Sequence, residues 1–183
     1  DGESYQATQW YPKPAVYDKN GWHPMTYLDQ GEFYSEFGSF DVSITLPKNY
    51  VVAATGDLQN IEEKNWLKTR SSFSWEPIKE KEKSKYGQVK TKVQLFLVSA
   101  KESKTHRYKQ NNVHDFAWFA DKTYTVKSDT LKLPSGKIIL ASTFYYAENN
   151  ENWKNSIAMI KRAVLTKSKW LGEYPYHVVS VVD

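Results

Sequence analysis

Between Glu32 and Leu46 apolar and polar residues alternate: Phe33, then past Gly38 the set Phe40, Val42, Ile44 and Leu46, separated by Asp41, Ser43 and Thr45. A period of two puts one set on each face of a strand, so this segment is read as a half-buried strand. Pro47-Lys48-Asn49 supplies a turn, and Tyr50 to Thr55 forms a second strand ending at Gly56-Asp57; the pair reads as an antiparallel hairpin. From Gln59 to about Ser84 the pattern weakens and charge rises, which reads as an excursion pinned by Trp66, Phe73 and Trp75. Strand texture returns in Gln88 to Ser99, where Val89, Val93, Leu95 and Leu97 share one parity, and continues in Val113 to Ala120 and Tyr124 to Lys127. Leu131 to Leu133 and Ile138 to Leu140 flank the turn signal Pro134-Ser135-Gly136, followed by a strand running to Tyr146. Many short strands joined by turns predict a sandwich-like, mainly β fold.

At Asn149-Asn150 the period changes. Trp153, Ile157, Ile160, Val164 and Leu171 fall at helical spacing, with Asn150 as N-cap, Lys167 and Lys169 in the last turn and Gly172 as the stop. Tyr174-Pro175-Tyr176 then leads into Val178 to Val182, a run apolar enough to predict a strand covered on both faces. A chain that stops on such a strand is expected to be part of something larger.

The 183 residues suffice for one substantial core. Aromatic content is 15%, with 7 Trp and 13 Tyr, which argues for folding rather than disorder. The net charge of +4 comes mostly from lysine interleaved with acids, as in Lys79-Glu80-Lys81-Glu82-Lys83, and the arginines are Arg70, Arg107 and Arg162. A nucleic-acid surface calls for a one-signed, Arg-rich cluster, so no nucleic-acid partner is expected. Absence of cysteine removes disulfides, thiolate metal sites and a Cys nucleophile. No apolar run approaches the roughly 20 residues of a membrane span.

His23, His106, His114 and His177 include no pair four apart with a glutamate between, as a helical zinc site requires. His114-Asp115, adjacent in an expected strand, should point to opposite faces. No Gly-x-Ser-x-Gly elbow or Gly-rich phosphate loop occurs. Carboxylate pairs such as Asp29 with Glu32 arise by chance among 21 acidic residues. The ring-rich stretch Trp10-Tyr11-Pro12, Tyr17 and Gly21-Trp22-His23-Pro24 reads as core packing or as a carbohydrate-stacking platform.

Two ends of the chain point to one family. Thr8-Gln9-Trp10-Tyr11-Pro12-Lys13-Pro14-Ala15, then Phe37-Gly38-Ser39-Phe40-Asp41-Val42-Ser43-Ile44 and a strand ending near Gly56, resembles the later half of the N-terminal domain of aminopeptidase N-type zinc metallopeptidases. These are the gluzincins that include leukotriene hydrolase. Asn112-Val113-His114-Asp115-Phe116-Ala117-Trp118 looks like the version in bacterial members, and the closing helix with Gly172-Glu173-Tyr174-Pro175-Tyr176 is similar to the entry into the thermolysin-like catalytic domain.

The resemblance implies the later half of a saddle-like antiparallel β-sandwich over residues 1–147, followed by one amphipathic helix and a short strand that begin the catalytic domain over 148–183. It implies a non-catalytic portion that caps the amino-terminal end of a peptide groove, with its own catalytic domain and peptide substrates as partners. Zinc in the family polarises the scissile carbonyl, and a motif glutamate activates water; those residues are expected past position 183, so no catalytic or metal residue is expected here. The position two past Gln9, where relatives carry Gln or Glu against the substrate ammonium, is Tyr11, a phenol without charge at neutral pH. Gln9 and Tyr11 are therefore the expected substrate-binding residues. The family's Phe-Pro-Cys-x-Asp-Glu-Pro is replaced by the segment 21–35. A bacterial envelope or periplasmic location is expected. A stand-alone β-sandwich binding module for carbohydrate or protein, and a pseudoenzyme of the same family, remain the alternatives.

Overall fold

The structure, a computed structural model, describes residues 4–26, 28, 30, 34–83, 89–94 and 96–183, with side chains described except at 80–83, 89–90 and 92–94. Phe33, Gln88, Leu95, Asp29 and Glu32 lie outside the described residues. In chain order the strands and helices are β1 (Tyr5–Ala7), β2 (Val16–Asp18), β3 (Gly21–His23), β4 (Gly38–Pro47), β5 (Val51–Ala54), β6 (Asp57–Leu58), α1 (Ile61–Thr69), β7 (Ile78–Lys83), β8 (Val89–Gln94), β9 (Ser103–Val113), β10 (Trp118–Asp121), β11 (Thr125–Lys132), β12 (Ile138–Tyr145), α2 (Asn150–Trp153), α3 (Ser156–Leu171) and β13 (Val178–Val182). The fold is mainly β, as the alternation predicts.

The layers are ordered by what each strand can bury. Sheet β4-β9-β6 faces sheet β1-β10-β5 across a core of Ile44, Tyr50, Val52, Leu58, Tyr108, Phe116 and Ala120. The other face of β5, through Val51 and Ala53, packs on Tyr124, Val126 and Phe144 of the next sheet, β11-β12-β13. That sheet's far face holds α3, with Ile160 and Val164 against Leu133, Ile139 and Ala141. Thus β5 is buried on both faces, which is why Val51-Val52-Ala53-Ala54 is a continuous apolar run, and its two alanines let the layers approach closely.

Several expectations are corrected. β4 and β5 are not a hairpin: β4 pairs with β9 and β5 with β10. The turn at Pro47 to Tyr50, closed by Tyr50 N–H to Pro47 O at 3.0 Å, carries the chain from one layer to the next. β13 is not covered on both faces. It joins β12 in parallel at the sheet edge and is only half-buried, so its apolar run is shared between α3's layer and an open margin.

The charged excursion contains α1, whose one buried side chain is Glu63, and a further strand, β7, paired with β8. Trp66 does pin this segment, half-buried against the Val51 cluster. The closing helix is two, α2 then α3. Asn150 makes no cap; its side chain accepts from the Tyr145 hydroxyl at 3.1 Å. Trp153 stacks flat on Tyr145, whereas Leu171 points away from the core, 83% exposed. Gly172, at φ +101°, ends the helix as read. The turn at Pro134-Ser135-Gly136 closes the β11–β12 hairpin, with Leu133 N–H donating to Lys137 O at 2.8 Å. No helix among the described residues is long and apolar enough to cross a membrane.

Candidate functional site

β1 runs antiparallel to β10, pairing Ala7 with Trp118, so the residues that follow β1 are drawn alongside those that precede β10. Gln9, at φ +53°, bends the chain there. Trp10 Nε1 then donates to Phe116 O at 2.8 Å, and Pro12 and Pro14 hold the exit extended.

The consequence is a convergence on one carboxylate. Gln9 Nε2 donates to Asp115 Oδ2 at 3.0 Å. The Tyr11 hydroxyl donates to Asp115 Oδ1 at 3.0 Å, and the Phe116 N–H donates to the same oxygen at 2.7 Å. Lys13 Nζ stands 3.2 Å from Oδ1. Tyr11 is half-buried between the rings of Trp10 and Phe40, and its phenol is pushed up to about 12, first by burial and then by its bond to the Asp115 carboxylate.

Gln9 and Tyr11, singled out from the resemblance, are therefore brought together, and Asp115 joins them. The expectation that His114 and Asp115 alternate across a strand is corrected, because both lie in the loop between β9 and β10. Asp115 places a carboxylate directly against the Tyr11 phenol. The phenolic oxygen, having donated its proton, keeps a lone pair free to accept. The one sequence signal for this, the short His114-Asp115-Phe116 loop before a strand, is silent about which side chains it will meet.

The histidines take separate structural places. His23 Nε2 lies 2.8 Å from Asp18 Oδ1, and that contact holds the Asp18 carboxyl below its ordinary range. His106 is buried, its Nδ1 3.6 Å from Glu63 Oε1, and burial, with Lys104 nearby, pulls its imidazole down to about 4. Lys104 Nζ makes a bidentate contact to Glu63 at 2.7 and 2.8 Å while lying 3.5 Å over the Trp66 ring. Burial raises the Glu63 carboxyl and lowers the Lys104 ammonium, and their contact works against burial in both. His114 packs edge-on against Phe37, and His177 is exposed. Among the described residues no three His, Asp or Glu side chains gather as metal ligands.

The arrangement defines a layered β-domain with a polar cluster at the junction of β1 and β10. No protein-family model matches this chain, and no curated protein matches it. Among solved structures, it is similar to crystal structures of a two-domain M1 zinc metallopeptidase mutant, one bound to L-arginine and one to L-tryptophan. Identity is 13% in each, TM-scores are 0.42 and 0.46, and the match covers 81% of this chain and 26% of those chains. The chain spans about a quarter of the length of those structures.

Proposed function

We propose that this chain is the non-catalytic N-terminal portion of a zinc-dependent, aminopeptidase-like metallopeptidase of a bacterial envelope or periplasm. Residues 1–147 shape and cap the amino-terminal end of the peptide groove, and 148–183 begin the catalytic domain. The observation that carries this reading is the convergence of Gln9 and Tyr11, the positions picked out by the resemblance, on the Asp115 carboxylate. A substrate ammonium is met by an acceptor oxygen on Tyr11, with the Asp115 charge behind it, partly offset by Lys13. Zinc would be held by residues of the catalytic domain and would supply polarisation of the scissile carbonyl, while this chain positions the amine.

The test uses the full-length protein. It should hold stoichiometric zinc and release amino-terminal residues, with Asp115→Asn raising KM for free-amine peptides several-fold and leaving kcat nearly unchanged. Full-length protein with zinc but no KM effect removes Asp115 from the site. Full-length protein without zinc or hydrolysis sinks the enzyme reading and leaves the pseudoenzyme.

A second reading, a binding module, is favoured by one feature. Tyr17 and Trp22 pair across the β2–β3 hairpin with ring centroids 4.9 Å apart and are 65% and 68% exposed, opposite the buried Val16. Binding to a polysaccharide that Trp22→Ala abolishes would support it.

A further inference from the structure

The cavity between α1 and the β11-β12-β13 sheet takes no part in the Asp115 cluster. It encloses about 390 Å³, within the range of small-molecule sites. Its floor is Leu58, Val126 and Phe144, all buried. Its lips are Ile61, Ile138 and Leu140, which remain 74%, 59% and 38% exposed. Ile138, Leu140, Ser142 and Phe144 share one face of β12, so an apolar strip runs from lip to floor. Its one interruption, the Ser142 hydroxyl, is already hydrogen-bonded to Ser128 at 2.8 Å.

Charge sits at the α1 wall. Lys64 and Lys68 are four residues apart and so are neighbours on the helix surface, where like charges repel. Lys68 Nζ donates to Asn65 Oδ1 at 3.2 Å, a neutral partner. Of the helix carboxylates Glu62 and Glu63, Glu63 is committed to Lys104, and Glu62 is exposed and does not line the cavity. Asp57 is the carboxylate lining the cavity, against two lysines. An anion placed at this wall relieves the lysine repulsion, while a hydrocarbon chain covers the exposed lips and fills the floor. A sugar would leave its hydroxyls unpaired against the same floor.

We propose that this cavity binds a single-chain amphiphile with a carboxylate head, of the medium-chain fatty-acid class. The tail lies on Leu58, Val126 and Phe144, and the head sits at Lys64 and Lys68. The site is independent of the peptidase reading.

Calorimetric titration of the protein with sodium decanoate and with decyltrimethylammonium, both below their micellar concentrations, tests it. Decanoate should bind saturably at one per chain, roughly tenfold tighter than the cation, and more weakly as salt rises. The surface double variant Lys64→Glu/Lys68→Glu should reverse the preference between the two heads. Leu140→Trp, which fills the mouth from an exposed position, should abolish binding of both while the thermal melt is retained. Absence of saturable decanoate binding, equal affinity for the two heads, or binding untouched by Leu140→Trp would each overturn the proposal. If Leu140→Trp fails to fold, the lysine variant decides alone: an unreversed preference overturns it.

Discussion

Asp115 shows how one carboxylate organises a loop. It accepts from Gln9, Tyr11 and the Phe116 N–H and faces Lys13, so removing it strands several donors at once. Asp115→Ala should cost about 2–3 kcal/mol, read as a lowered urea midpoint with unchanged slope. In that variant the Tyr11 phenol should titrate below its native value of about 12, followed by ultraviolet absorbance. His106 makes a different prediction. Its folded imidazole sits at about 4, below the roughly 6.5 of an unfolded one, so on acidification the unfolded chain takes up the proton first. Its contribution is complete above about pH 6.5, is lost as pH falls toward 4, and is constant below that. Glu63, raised by burial, runs the other way. Denaturation midpoints between pH 7 and pH 4 should fall less in His106→Leu than in the unaltered chain, by on the order of 2 kcal/mol. Neither residue announced itself in the sequence. The carboxylate hub is made with Gln9, 106 positions away, and the buried histidine lies against Glu63, far from it in sequence.

At the scale of elements, legibility followed the identity of the buried face. β4 was readable because its inward positions, Val42 and Ile44, are apolar. Its partner β9 was missed because the positions facing inward there are Lys104, His106, Tyr108 and Gln110, which blur the alternation. α1 was missed for the same reason: its buried residue is Glu63, held by Lys104 of β9. β9 also carries a bulge: between the pairs Gly38–Val113 and Phe40–Gln110, Ser39 of β4 stands opposite Asn111 and Asn112 of β9, with Asn112 at φ +59°. Close approach of backbones constrains Gly56. At φ +92°, an added Cβ would meet Lys109 O at 2.5 Å, so Gly56→Ala should destabilise by at least about 2 kcal/mol in a thermal or urea melt. On α3 the helical period predicted the face but overextended it. Ile160→Ala should cost about 2–4 kcal/mol and Leu171→Ala under about 0.5 kcal/mol by the same measurement, because only the first is buried.

Over the whole molecule, three sheets and a helix stack so that each layer covers the apolar side of the last, and the final margin is left open. Trp170 is 74% exposed, Leu171 is 83% exposed and Val181 lies at the edge of the last sheet. This surface should drive concentration-dependent self-association of the isolated chain. Trp170→Glu/Leu171→Glu should return it to monomer in sedimentation experiments without altering its melt. Sequence alone determined the mainly β class, the β11–β12 turn, and the existence and stop of the closing helix, because these depend on local period and turn chemistry, whereas Gln9 and Tyr11 were singled out only by the family resemblance. Only the tertiary structure decided that β4 and β5 part company between layers, that β5 rather than β13 is enclosed on both faces, and that Asp115 joins Gln9 and Tyr11. Pairing partners and burial are set by contacts between distant segments, and a one-dimensional pattern records which side of a strand is apolar but not what will lie against it.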